Sequence, residues 1–381
     1  MDVYITDVAA FLPNAPVDNE HIEHVLGCIQ GLPSRVKRIV LRNNGIRTRY
    51  YALDPQTRRL THSNAQLAAA AVQGLRPYPE YSPEDIACLC CGTTSADLLF
   101  PGHALMVLGE LGIAECDAVS THGICISGMT ALKHAWMNVA LGLSENAVAS
   151  GSELASSYMR SRFFTGLGQV EADVEKRPLL AFDADFLRWM LSDGAGAVFM
   201  SPSPNPDGLS LRVEWIENIS FAGHLETCQY SGGMKKEDGT VAGWRTDEAL
   251  EAGASGHMFA VKQDIKLLDR EIVRTAIDQA LMRVVRRHNL SPKDIDWFLP
   301  HYSSHYFRDK FFVRMQEMGF EIPEERWFTN LYTKGNTGSA AIYIILEEIY
   351  HSGRLHKGER LLCFVPESGR FSHCYMLLTV V

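Results

Sequence analysis

Between residues 3 and 11, "VYITDVAAF" alternates apolar and polar positions closely enough to predict a strand, and the chain then settles into a repeating pattern of strands and helices. A helix is expected near 18–29, and "KRIVLRNNGIRTRYYA" reads as a short helical end, a loop and an extended stretch. An Ala-rich helix ("SNAQLAAAAVQGL"), the strand "DIACLCCGTT", the helix "PGHALMVLGELG", the strand "CDAVST", a helix after Cys125 and the strand "AVASGSE" follow in order. Repeated strand–helix alternation predicts a mostly parallel sheet covered on both faces.

The second half of the chain replays the first. "SLRVEWIENIS" stands where the first strand stood, "DIDWFLPHYSS" matches "DIACLCCGTTS", and "GNTGSAAIYIILEEIYHSG" matches "GICISGMTALKHAWMNVALG". A constant offset across three pairs points to a duplicated α/β unit, with boundaries drawn at 1–207 and 208–381, although two generic βαβ units of similar length would also produce some of it. Under duplication Cys125 and Asn336 hold equivalent places, each at the start of its half's central helix. Long irregular insertions at 158–186 and 222–258 are expected to cover a pocket or make a subunit contact, with a merely disordered loop as the plain alternative for 232–256, where "KKEDGT" is solvated.

Composition narrows the function. The formal net charge of −9 argues against a chain built to coat nucleic acid or an anionic membrane. Asp2, Asp7 and Pro13 make the N-terminal segment a strand and not a signal peptide, and no apolar run reaches membrane-spanning length. Nine cysteines in mostly apolar surroundings read as reduced thiols of a cytoplasmic protein. Cys88, Cys90 and Cys91 lack a second pair at zinc-site spacing, so alternation along a buried strand explains them better than a metal.

Three residues carry chemistry. Cys125 sits in "THGICISGM" at a predicted helix start, where aligned backbone N–H groups lower a thiol's pKa and the neighbouring Gly123, Ser127 and Gly128 leave room for a tight turn and a close substrate. Taken alone, such a cysteine is as well read as a small buried hydrophobe. His301 ends the apolar strand "DIDWFLPH", the end at which parallel sheets place their chemistry, with His305 as a competitor. Asn336 in "KGNTGSAA" is either a helix N-cap or a neutral hydrogen-bond donor.

Together Cys125 in "GICISGMTAL", His301 in "PHYSSHYF" and Asn336 in "KGNTGSAA" resemble the Cys-His-Asn set of the β-ketoacyl-acyl carrier protein synthase III family of the thiolase superfamily. "GIRTRYYA" (45–52), "GTTSADLLFPG" (92–102) and "LSDGAGAVFM" (191–200) are similar to further family segments, in the same order. The resemblance implies a five-layered αβαβα fold of two duplicated halves, a homodimer, and no permanently bound cofactor or metal. It implies acyl transfer from a CoA or acyl carrier protein thioester to Cys125, then Claisen condensation with a malonyl- or β-ketoacyl-thioester, His301 and Asn336 donating to the enolate. By the same resemblance the backbone at Cys125 and Gly369 meets the oxyanion, Phe100, Ser304 and Arg370 lie at the substrate, and Arg308 and Lys310 face an acidic carrier protein. For Phe100 the plain alternative is core packing, and for Arg308 and Lys310 a solvated helix face.

Departures shape the expectation further. His301-Tyr302-Ser303-Ser304 replaces the family's His-Gln-Ala-Asn type of segment, and in "PESGRFSH" Glu367, Ser368 and Arg370 narrow or polarise the pocket. These differences, with "FDADFLRWMLSDGAGA", are similar to the specialised branch that makes cyclohexanedione or dialkylresorcinol precursors. The competing readings are an acyltransferase to an alcohol or amine, which needs a general base that Asn336 is not, and a non-catalytic acyl-binding subunit, which would not require all three residues. A papain-like hydrolase would leave the repeat unexplained.

Overall fold

A computed structural model describes residues 1–31, 33–34, 36–166, 187–251 and 256–381. Nine strands form the main sheet: β1 (Tyr4–Phe11), β2 (Cys88–Thr93), β3 (Asp117–His122), β4 (Ala147–Glu153), β5 (Gly194–Ser201), β6 (Leu211–Ser220), β7 (Trp297–Pro300), β8 (Arg360–Glu367) and β9 (Ser372–Val380). Their order is β7-β8-β9-β6-β1-β5-β4-β2-β3. Only Tyr4↔Arg212 and Ile5↔Leu211 join β1 to β6, so the sheet is two half-sheets meeting at a short seam.

Each half repeats one topology. In the first, β2 runs parallel to β3 and β4, β5 is antiparallel to β4, and β1 is antiparallel to β5. In the second, β7 is parallel to β8, β9 is antiparallel to β8 and β6 to β9. A lone parallel bridge, Phe298↔Trp327, marks the place where β3 has its counterpart. The register inferred from the three sequence anchors is therefore the register of the fold.

Three apolar cores lie between the layers, the middle one contacting both half-sheets from around the central helices. Helix α1 (Asn64–Gln73) packs its alanines on one face of the first half-sheet, where Leu89 and Cys91 point, while Cys88 and Cys90 point to the other face into the central core. That alternation accounts for the cysteine-rich strand. Helix α2 (His103–Leu111) also lies on this outer face. The central layer holds α3 (Ile126–Ala140) and α6 (Ala341–Tyr350), and α4 (Ile265–Val273) and α5 (His305–Glu317) belong to the outer core of the second half. Helix α1 starts where the sequence predicts, because the Ser63 hydroxyl accepts from Gln66 N–H and the Gln66 side chain accepts from Ser63 N–H. The helix expected near 18–29 shrinks to Ile22–Leu26, stopped by Gly27 at φ 78° and begun without a side-chain cap.

The two central helices approach closely. A Cβ on Gly128 would lie 2.1 Å from the Ser339 carbonyl oxygen, and the Tyr343 hydroxyl donates to the Gly128 carbonyl at 2.7 Å. Gly128 thus makes room for the opposite half's backbone, not for a substrate as its place beside Cys125 suggests. Since backbone cannot step aside, Gly128→Ala is expected to destabilise the fold by about 1–3 kcal/mol, measurable as a lower denaturant midpoint.

The insertion expected at 222–258 is ordered where it is described. Gln229–Tyr230 pairs with Lys262–Gln263, and Gly233–Lys235 with Val241–Gly243, so a merely disordered loop does not hold there, while Lys236, Glu237 and Asp238 are solvent-exposed as the sequence suggests. Most of the 158–186 insertion, and the start of "FDADFLRWM", lie outside the described residues.

Candidate active site

Strand ends bring the site together. Cys125 follows β3, His301 follows β7, and Glu153 and Glu367 are the last residues of β4 and β8. One cavity of about 620 Å³, counting the space at its mouth, is lined by Cys125, Asn336, Glu153, Thr94 and Gly338 at one part of its wall and by apolar side chains including Leu187, Met190, Leu268, Ile272, Phe307 and Phe311 elsewhere. His301 is not part of that lining. It lies buried two residues before Ser303, which does line the cavity, and its Nε2 has no hydrogen-bond partner.

The sequence motifs outside the triad turn out to hold Asn336. "GIRTRYYA" and "LSDGAGA" bind each other: Tyr50 N–H donates to the Ser192 hydroxyl, Asp193 N–H to the Tyr50 carbonyl, and Ala52 N–H to the Asp193 carboxylate. The Leu191 segment then pairs with Asn336, whose N–H donates to the Met190 carbonyl and whose carbonyl accepts from Ser192 N–H. The Asn336 side-chain oxygen accepts from Gly338 N–H at 3.0 Å. That bond leaves the side-chain NH₂ as the group Asn336 can offer to a ligand.

Asn336 is not itself a helix start, as its equivalence to Cys125 leads one to expect. A 3₁₀ turn at Gly338–Ala340 intervenes before α6, and Gly338 has φ 52°, a conformation that glycine adopts without strain. A side chain there would also meet the Glu153 carboxylate, whose Oε2 lies 2.3 Å from an added Cβ.

Cys125 is the N-terminal flanking residue of α3 and supplies no side-chain cap. The cap arrives from the other half: Glu367 Oε2 accepts from Ile124 N–H at 2.9 Å and from Ile126 N–H at 3.2 Å. Glu153 makes the reciprocal reach, its Oε2 accepting from Ser339 N–H at 3.4 Å near the start of α6 and from the Thr94 hydroxyl at 2.5 Å. The matching strands β4 and β8 thus each end in a glutamate that crosses to the head of the opposite central helix. Sequence reading singled out Glu367 only as a narrowing residue and missed Glu153; the signal was available, since "AVASGSE" and "LLCFVPE" end their repeats at matching places.

These acids set the electrostatics. Burial pushes the Cys125 thiol well above its ordinary value, with the neighbouring Glu367 and Glu153 charges adding to the effect. The expectation of a helix-lowered thiol is therefore overturned: the helix's positive end faces a carboxylate, and the thiol is desolvated. Burial also raises Glu367, and it raises Glu153 to about 7. It lowers His301 to about 4, so the imidazole is neutral at physiological pH.

Other expected site residues are placed differently. Ser304 is buried and caps α5 by accepting from Tyr306 N–H at 3.3 Å, leaving Ser303 as the cavity residue. Arg370 is exposed and donates to the Leu225 carbonyl, so it pins the insertion and does not line the cavity. The Gly369 carbonyl accepts from Cys228 and Gln229 N–H, tying the same insertion to the β8–β9 hairpin. His305 faces the Tyr332 hydroxyl at 2.9 Å and does not line the cavity. Arg308 is paired with Asp309 and Glu324, and Lys310 with Asp269, as a balanced helix face would be. Phe100 is 78% exposed, which excludes core packing within the chain. Sequence reading missed Gln229 and Gln263, which enter the cavity wall from the insertion and join through the Ser368 hydroxyl at 3.0 and 2.9 Å.

Comparison with known proteins places this arrangement. The model of the C-terminal part of 3-oxoacyl-[acyl-carrier-protein] synthase III matches residues 285–374, and the model of the β-ketoacyl synthase N-terminal domain matches residues 113–204. A β-ketoacyl-[acyl-carrier-protein] synthase III of Cereibacter sphaeroides is 24% identical over 361 residues, covering 94% of this chain and 93% of that protein. A second such protein, from Deinococcus radiodurans, is 25% identical over 94% of this chain and 89% of its own length. Among solved structures, AbyA1, a tetronic acid condensing enzyme, superposes with a TM-score of 0.74 at 20% identity over 99% of both chains. Xanthomonas campestris OleA with bound lauric acid and lauroyl-CoA gives 0.72 at 18% identity over 100% of this chain and 99% of that one.

Proposed function

The chain belongs to the β-ketoacyl-acyl carrier protein synthase III family of thiolase-fold condensing enzymes, and from that membership we propose that it joins two acyl units through Cys125 in specialised lipid or polyketide synthesis. The observation that carries the assignment of residues is that a thiol and an amide NH₂, supplied by equivalent positions of the two halves, line one cavity whose remaining wall is largely apolar. Cys125 takes the acyl group from a CoA or carrier-protein thioester. The second thioester then supplies a carbanion, whose enolate oxygen receives hydrogen bonds from the Asn336 NH₂ and the otherwise unpartnered His301 Nε2. Both donors are neutral, so they stabilise the developing charge without becoming a permanent counter-ion.

No metal or bound cofactor has a part in this scheme, and no helix among the described residues is long and apolar enough to cross a membrane. The free cysteines suit a reducing cytoplasm. A homodimer is favoured by β3, which is the sheet's edge strand, and by the exposed Leu98, Leu99 and Phe100 on the loop between β2 and α2. Carrier docking through Arg308 and Lys310 would require breaking their ion pairs, so we assign it no residues.

One observation supports a second reading. Glu153 places a carboxylate raised to about 7 in the cavity wall, and a carboxylate is the general base that transfer to an alcohol or amine needs. The two readings separate in one experiment. Incubation with acyl-CoAs from acetyl to dodecanoyl is expected to add the acyl mass to the peptide bearing Cys125, and subsequent malonyl- or β-ketoacyl-carrier protein to release a product with a new carbon–carbon bond. Acylation followed only by ester or amide formation would establish transfer, and no acylation at all would leave an acyl-binding subunit.

A further inference from the structure

Acyl transfer to Cys125 raises a problem that the triad does not solve. The thiol is buried behind 9% exposure, and nothing cationic lines its cavity among the described residues. The N–H groups on either side of Cys125, those of Ile124 and of Ile126 at the head of α3, are turned to a carboxylate, that of Glu367. His301 is buried and burial opposes its protonation, so it is a poor place to deposit a proton. The thiol must therefore lose its proton during the attack and not before it, and the acceptor has to be beside the sulfur.

Glu367 meets the geometric requirement. Its Oε2 is held by the N–H groups immediately before and after Cys125, which fixes the carboxylate at the mouth of the same helical turn as the thiol. Both of those bonds use Oε2, and no hydrogen bond among the described residues engages Oε1, which leaves that oxygen to take a proton. Glu153, the reciprocal glutamate, lines the same cavity as Cys125 but is held by Thr94 and Ser339, not by the two residues that flank the thiol. We propose that Glu367 accepts the Cys125 proton as the thiol attacks the incoming thioester and returns it to the departing sulfur. The Cys125 Sγ–carbonyl bond forms, the carbonyl–sulfur bond of the donor breaks, and the proton passes from Cys125 to Glu367 to the released CoA or pantetheine thiol, so no further reactant is consumed. While protonated, Glu367 no longer opposes the positive end of α3, and the same turn becomes better able to stabilise the tetrahedral oxyanion.

The inference rests on the proposal that Cys125 is acylated, and the test separates the two. Glu367→Gln keeps an oxygen to accept from Ile124 and Ile126 but can no longer take a proton. Removing a like charge beside the thiol should move the pH profile of Cys125 alkylation by iodoacetamide acid-ward by about one unit. Single-turnover acylation by the acyl-CoA that serves the wild type should nevertheless fall by about 10²-fold at pH 7, although more thiolate is present. Glu367→Asp, which restores a carboxylate, should recover part of that rate. Acylation that rises in step with the thiolate fraction, or that is unchanged in Glu367→Gln, would overturn the proton-acceptor role while leaving condensation intact. A wild-type enzyme that alkylates normally but takes no acyl group from any thioester would overturn the functional reading and this role with it.

Discussion

Asn336→Ala is expected to acylate at Cys125 at close to the wild-type rate and to condense roughly 10²–10³ times more slowly, the usual consequence of removing one oxyanion donor. The separation follows from where each half-reaction develops its charge. During acylation the tetrahedral oxyanion forms next to the head of α3, whereas the enolate forms on the second thioester, at the cavity wall that Asn336 shares with Gly338 and Glu153. The Asn336 side-chain oxygen is occupied by Gly338 N–H, so the amide cannot turn over and offer the wrong group. Asn336→Asp should be worse than the alanine variant for condensation, because it places an acceptor and a second negative charge where a donor is required. Intact-protein mass spectrometry of the acyl-enzyme, with product release followed separately, measures both rates on one sample. Equal loss in the two steps would place Asn336 in general binding and not at the enolate.

How much of this could be read beforehand is clear from individual residues. The duplicated topology was legible because strand termini and helix starts recur at one offset, and hydrophobic periodicity survives divergence when both faces of a sheet are buried. Cys125 and Asn336 could be paired for the same reason. What could not be read is direction. Ser303 and Ser304 are neighbours, yet one lines the cavity and the other caps α5, and only the point at which that helix begins decides between them. Gly128 was assigned to substrate because the residue that touches it, Ser339, lies in the other half. The thiol's environment failed for a related reason: a helix start predicts a lowered pKa only if nothing negative crosses to it, and Glu367 does so from the far side of the fold.

The pH dependence of condensation on pre-acylated enzyme should identify a group other than the histidine. A solvent-exposed imidazole would titrate near 6.5, in the middle of the working range. Burial holds His301 down to about 4, so it stays neutral from pH 8 to pH 5 and contributes a loss of rate only as the pH falls through about 4. Glu153 is raised to about 7 by burial, and it lines the cavity beside Asn336. Below that value it is largely protonated and neutral, above it a carboxylate faces the site where enolate charge develops. A nearby like charge worth about one pKa unit corresponds to roughly a tenfold penalty, so the condensation rate should decline as pH rises through about 7 and level off above it. Glu153→Gln removes the titration while keeping an acceptor for Thr94 and Ser339, and its profile should be flat from pH 5 to pH 8. His301→Ala should lower the whole profile by about 10²-fold without moving the inflection, since the neutral donor is lost at every pH. An inflection near 6.5 that persists in Glu153→Gln and vanishes in His301→Ala would mean that the imidazole titrates in the working range, and that its place in the site is wetter than its buried Nε2 indicates.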